Sequence, residues 1–131
     1  MFVDASAMCA ILLEEPEARA IELKLAEAPV CFTSPVAVFE TVLAVMRHKA
    51  VQPDKARAAV ARFIDTTRIE QLVIGDAERE AALDAMARFG KGRHPARLNM
   101  GDCFAYGCAK VHGLPLLFKG DDFAKTDVIS A

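Results

Sequence analysis

The amino-acid sequence predicts an α/β domain: a mostly parallel sheet of four to five strands with helices on both faces, spanning residues 1–131 as one unit. Three observations predict it. Short continuous apolar runs recur, as in strands buried on both faces. Between them lie segments whose apolar residues keep helical spacing. The two kinds of segment alternate, which is the pattern of a parallel sheet joined by right-handed helical crossovers. A length of 131 residues suits a single domain, and a 53% hydrophobic share supplies a core and excludes disorder. No repeat, low-complexity tract or linker interrupts the chain.

The elements follow in order. Met1–Val3 is a first strand ended by Asp4. Ser6 is placed to cap a helix over Ala7–Leu13, which Pro16 closes. Glu17–Ala28 is helical, with Ala20, Leu23 and Ala26 as one stripe, and Pro29 ends it. Val30–Thr33 is a second strand. Ser34 caps the next helix with Pro35 in its first position, and Phe39, Val42, Leu43 and Met46 keep the helical spacing. Pro53 to about Thr67 is another helix, with Ala56, Ala59, Val60 and Phe63 inward. Gln71–Ile74 reads as a third strand ended by Gly75, after which Asp76 caps a helix over Ala77–Phe89. Gly90–Leu98 is a basic, glycine-containing loop. Asn99 caps a helix of roughly Gly101–His112, ended by Gly113. Leu114–Phe118 is the last strand, and a turn through Asp121 and Asp122 follows it.

Bulk properties narrow the function. The longest apolar runs fall far short of the roughly 18 residues of a membrane span, so no membrane association is expected. The opening MFVDASAM has an acid at position 4 and no basic stretch, so no secretory signal is expected and the cytoplasm is the expected location. The net charge of −2 excludes nucleic-acid binding by bulk charge alone, although a metal ion can supply positive charge locally. Cys9, Cys31, Cys103 and Cys108 form no zinc-ligand spacing and read as small hydrophobes.

The chemistry is expected at the carboxyl ends of the strands, where open parallel sheets bind ligands. Asp4 follows the first strand, and Asp121 and Asp122 follow the last. Glu40 sits in the apolar segment PVAVFETVLAVM, and Asp102 lies among Met100, Cys103, Phe104 and Ala105. Taken singly, each has an ordinary explanation as a turn former, a helix-start acid or a surface glutamate. Together they need a cation, because acids planted in apolar helices are costly unpaired, and no Lys or Arg lies between Pro29 and Arg47. A hard divalent ion prefers oxygen ligands; it activates water and stabilises charge on phosphate. No phosphate-binding loop, nucleophile elbow or HExxH zinc motif competes with this reading.

Four pieces in order, MFVDASA, PVAVFE, LNMGDCFAYGCA and LPLLFKGDDFAKTDV, resemble the PIN-domain ribonucleases, most closely the VapC-type toxins of bacterial toxin–antitoxin pairs. The resemblance runs from Met1 to about Val128. It implies catalytic, metal-holding roles for Asp4, Glu40, Asp102 and a fourth acid that is either Asp121 or Asp122. Ser6 and Asn99 would support them, Asn99 serving equally as a helix cap. It also implies Mg²⁺- or Mn²⁺-dependent cleavage of RNA, often tRNA or ribosomal RNA, a homodimer, and inhibition by a cognate VapB-like antitoxin. Lys91, Arg93 and Arg97 stand where they would hold RNA phosphates, or else they are an ordinary solvated loop. The alternatives are a binding module acting mainly through an antitoxin complex, a stand-alone RNA-processing nuclease, and a flavodoxin-like nucleotide binder; no phosphate loop after the first strand supports the last.

Overall fold

Phe2 and Val3 are both fully buried, and their side chains enter different cores, as alternation along a strand requires. This computed structural model describes all residues from 1 to 131. Strand β1 (Phe2–Val3) lies between β2 (Phe32–Thr33) and β4 (Leu116–Leu117), and β3 (Glu70–Gln71) pairs with β2. The order is β3-β2-β1-β4, all parallel, with Phe2 opposite both Phe32 and Leu116. The mostly parallel sheet of four to five strands that the sequence predicts is therefore present, with four strands. A single parallel bridge between Leu116 and Ser130 extends its β4 edge.

Six helices cover the sheet: α1 (Ala5–Leu12), α2 (Ala18–Glu27), α3 (Pro35–Lys49), α4 (Pro53–Thr67), α5 (Asp76–Phe89) and α6 (Met100–Val111). On one face Phe2 and Leu116 pack with α5 and α6. On the other, Val3 and Leu117 pack with α1, α2 and α3, while Phe63 and Ile64 bring α4 against them. Ser34 caps α3 by accepting the Ala37 N–H at 3.2 Å, with Pro35 in the first turn as expected. Ala56 and Val60 form the inner stripe of α4. No helix is long and apolar enough to cross a membrane.

Five local expectations need correction. Asp4, not Ser6, caps α1: its carboxylate accepts the Ser6 N–H at 2.9 Å, which starts the helix two residues early. The inward side of α2 is Ile21 and Leu25, whereas Ala20, Leu23 and Ala26 face solvent. Alanine and leucine at helical spacing do not say which side a short helix presents to its neighbours. Phe39 is 65% exposed, because Ala37, Thr41 and Val45 are the buried side of α3. Strand β3 is Glu70–Gln71 rather than the more apolar Gln71–Ile74, since pairing with Phe32 and Thr33 sets its register. Finally, Gly75 is the cap residue of α5, and Glu78 reaches back to accept its N–H at 2.8 Å, leaving Asp76 inside the helix.

Candidate active site

The chain leaves β1 for β2 and β3 on one side and returns to β4 on the other, so the sheet changes direction between β1 and β4. Ligands of open parallel sheets bind beyond the carboxyl ends of strands at such a point. Asp4 stands there, one residue past β1 and only 3% exposed. Its Oδ2 accepts from the Ser6 backbone N–H and, at 2.5 Å, from the Ser6 hydroxyl. The same hydroxyl accepts the Lys119 N–H at 3.0 Å, tying the exit of β4 to the start of α1. Burial pushes the Asp4 carboxyl above its ordinary range, and the Ser6 bonds oppose the rise.

Glu40 comes from α3 and is half-buried. Its carboxylate lies directly over the Cα of Gly101 in the first turn of α6, where a Cβ would overlap both of its oxygens. Burial, then the charges of Asp4 and Asp102, push Glu40 up to about 7. Asp102 is held from the other side. It accepts the Asn99 N–H at 2.8 Å while the Asn99 side chain accepts the Asp102 N–H at 3.0 Å, a reciprocal cap. Burial is the largest cause of its rise to about 6; the Asn99 bond opposes it, and the charges of Asp4 and Asp122 add to it.

Asp121 and Asp122 are both exposed on the turn after β4, where Gly120 has φ 97°. Asp122 carries charge to Asp102, whereas Asp121 is among the causes of no shift at Asp4, Glu40 or Asp102. The turn is stapled by Lys119, whose Nζ meets Glu15 at 2.6 Å and Glu17 at 3.2 Å. That ammonium is thereby engaged by the α1–α2 connection. Among the eight ion pairs of the molecule, none includes Asp4, Glu40, Asp102, Asp121 or Asp122.

Four acids from four separate stretches therefore act on one another without a protein cation between them. Their side chains form no closed cage, since no three His, Cys, Asp or Glu groups stand in ready-made metal-ligand geometry. An all-oxygen, open arrangement suits Mg²⁺ or Mn²⁺, which bind through one or two carboxylates and keep waters for the remaining positions. It does not suit zinc, and Cys9 nearby is no thiolate: burial above all, with the charges of Asp4, Glu15 and Glu40, raises it to about 11.

Lys91, Arg93 and Arg97 are exposed on the α5–α6 loop and take part in no ion pair. Backbone bonds between Lys91 and Leu98 and between Leu98 and Phe89, each 3.0 Å, close the loop. Three contributors escaped the sequence: Gly101, Lys119 and the pair Glu15 and Glu17. Gly101 left a signal, since a glycine in the first turn of a helix and next to Asp102 costs helix stability and so asks for a packing reason.

A model of the PIN domain family matches residues 1–129. A VapC ribonuclease of Rhizobium meliloti (strain 1021) is 44% identical over 140 residues, covering 97% of this chain and 98% of the relative. Ribonuclease VapC of Mycolicibacterium smegmatis is 39% identical over 128 residues, covering 98% and 97%. Two solved structures share the fold at 17% identity and 99% coverage of this chain. The Mycobacterium tuberculosis VapC20, a Sarcin-Ricin loop cleaving toxin, superposes with a TM-score of 0.78 over 97% of its length. A toxin–antitoxin complex from Klebsiella pneumoniae superposes with 0.67 over 95% of the matched chain.

Proposed function

The chain belongs to the PIN-domain family and, within it, to the VapC ribonucleases, and from that premise we propose how it acts as the toxin of a toxin–antitoxin pair. It hydrolyses RNA phosphodiester bonds internally, with Mg²⁺ or Mn²⁺ held by Asp4, Glu40, Asp102 and Asp122. The observation that carries this reading is the mutual charge of the acids: Glu40 at about 7 and Asp102 at about 6 are both raised in part by Asp4, with Asp122 adding to Asp102. Carboxylates held together against their own repulsion favour a divalent cation over protons at neutral pH.

An ion held by these carboxylates would lower the pKa of a water bound to it and would neutralise charge growing on the phosphate. The protein residues do the rest. Asp4 is fixed by Ser6, so its free oxygen has a set direction. Glu40 is held against α6 by the space over Gly101. Asp102 is fixed by Asn99 and benefits from the helix N-terminus. Asp122, on the exposed side, is the acid nearest solvent and the entering RNA. Lys91, Arg93 and Arg97 hold flanking phosphates.

The partners we infer are tRNA or ribosomal RNA as substrate, a VapB-like antitoxin, and a second copy of the chain. The Klebsiella toxin–antitoxin complex supports the antitoxin through the shared fold. Cleavage of labelled RNA with Mg²⁺ or Mn²⁺, with EDTA, and by Asp4→Asn and Asp102→Asn tests the mechanism. The expected result is loss of cleavage with EDTA and a fall of 10²-fold or more, a rough expectation for misplaced catalytic groups, in each variant. Cleavage that persists through chelation and both substitutions excludes it.

A further inference from the structure

Lys119, at the exit of β4, is bonded to both ends of α1. Its backbone N–H donates to the Ser6 hydroxyl at 3.0 Å, in the first turn of the helix. Its ammonium meets Glu15 at 2.6 Å and Glu17 at 3.2 Å, just past the last turn. Glu15 is itself fixed by the way α1 ends. Glu14 takes the left-handed conformation at φ 56°, its N–H donates to the Ile11 carbonyl at 3.1 Å, and the Glu15 N–H donates to the Ala10 carbonyl at 2.9 Å. Those two bonds are a Schellman closure. One residue from the far end of the chain therefore grips the helix at its start and at its finish.

The contact at Ser6 decides where a proton points. A hydroxyl has one proton to give and two lone pairs. A backbone N–H only donates, so the Lys119 N–H takes a lone pair of the Ser6 oxygen. The hydroxyl proton is left for Asp4, whose Oδ2 lies 2.5 Å away. The same Oδ2 accepts the Ser6 N–H at 2.9 Å. With Oδ2 doubly engaged, Oδ1 is the oxygen that Asp4 has left to offer a ligand.

We propose that Lys119 is a positioning residue for the reaction: clasped by Glu15 and Glu17, it keeps its N–H on Ser6, and through Ser6 it sets the direction of Asp4. This role rests on the nuclease reading above, and it adds a residue that acts through Ser6 without touching RNA or metal. A lysine beside a nuclease site could instead grip an RNA phosphate. Here two carboxylates within 3.2 Å already satisfy the ammonium, whereas Lys91, Arg93 and Arg97 have no acid partner. The Lys119 and Glu15 side chains are about a third exposed, 31% and 28%, so the clasp acts on position more than on overall stability.

Three variants of the protein test this: Lys119→Met, Glu15→Gln/Glu17→Gln, and all three substitutions together. In cleavage of labelled RNA with Mn²⁺, kcat is expected to fall by about threefold to tenfold in each, a modest loss because exposed ion pairs are weak, with KM unchanged. The triple variant should be no slower than Lys119→Met, because the three side chains serve one contact. In EDTA, where neither metal nor cleavage enters, the amide ¹H–¹⁵N resonance of Ser6, whose N–H is bonded to Asp4, should shift in the same direction in all three variants. Parent kcat in Lys119→Met, or losses that multiply in the triple variant, overturns the proposal. A KM raised in Lys119→Met but not in Glu15→Gln/Glu17→Gln, with kcat unchanged, also overturns it and assigns the ammonium to RNA. A parent protein that cuts no RNA contradicts the nuclease reading instead. The Ser6 resonance then decides the contact alone, and its staying in place in Lys119→Met overturns the link to Asp4.

Discussion

Gly101 carries no Cβ, and the Glu40 carboxylate uses the space. Gly101→Ala is therefore expected to keep the fold, because the collision is with the end of a movable side chain, and to displace Glu40 by an ångström or more. A displacement of that size costs on the order of 10²-fold in rate, read as a fall in kcat with an unchanged melting temperature. Phe39, one position before Glu40, gives the opposite test. As a 65% exposed residue, its replacement by Ser should change stability by no more than about 0.5 kcal/mol. Leu116→Ala, at a fully buried site, should cost about 2–5 kcal/mol; urea denaturation compares the two. Glu40 and Asp102 were legible as residues because each is a charge in an apolar helix, and Asp4 because it directly follows the first strand. Asp121 and Asp122 could not be told apart in the sequence, since they are neighbours on one exposed turn and nothing in their own stretch separates them.

At the level of elements, the caps carry the site. Asn99 and Asp102 satisfy one another across the start of α6, so the acid is oriented by the helix it begins. Asn99→Ala should cost about 1 kcal/mol of stability and lower the affinity for divalent ions more than Ser34→Ala, a cap of similar kind on α3 whose side chain bonds the Ala37 N–H and no acid of the cluster. Calorimetric melting and Mn²⁺ titration of both variants check this. The cap of α6 was readable from NMGD because Asn three residues before Asp is a local pattern. The start of α1 was misread for the same local reason: both Asp4 and Ser6 are good caps, and the choice depends on β1 ending at Val3 against β4. The inward sides of α2 and α3 depend on partners far away in the chain, which a single sequence does not display. Lys119 is likewise a distant tie, joining β4 to Glu15 and Glu17 over a gap in sequence of about a hundred residues.

For the whole molecule, the order of strands and helices was legible because a short continuous apolar run and a helical spacing of apolar residues are each a property of one segment alone. The sheet order β3-β2-β1-β4 brings β1 and β4 together, and with them Asp4 and the turn that carries Asp122. That convergence has a cost at neutral pH. Glu40 and Asp102 have folded-state pKa values raised to about 7 and about 6, so the folded protein holds protons that the unfolded chain has released. Their contribution to stability is complete below the ordinary carboxylate range, near pH 4, and is lost as pH rises through 6 and 7. Without divalent ions the melting temperature should therefore fall between about pH 5 and pH 7.5, and added Mg²⁺ should restore it at the higher pH far more than at the lower. Titration of Mn²⁺ into the protein near pH 7.5, followed by calorimetry, addresses the convergence of the acids most directly. Saturable binding in the parent protein that is lost in both Asp4→Asn and Asp102→Asn is the predicted result; binding that is absent from the parent, or that both variants retain undiminished, contradicts a shared metal site.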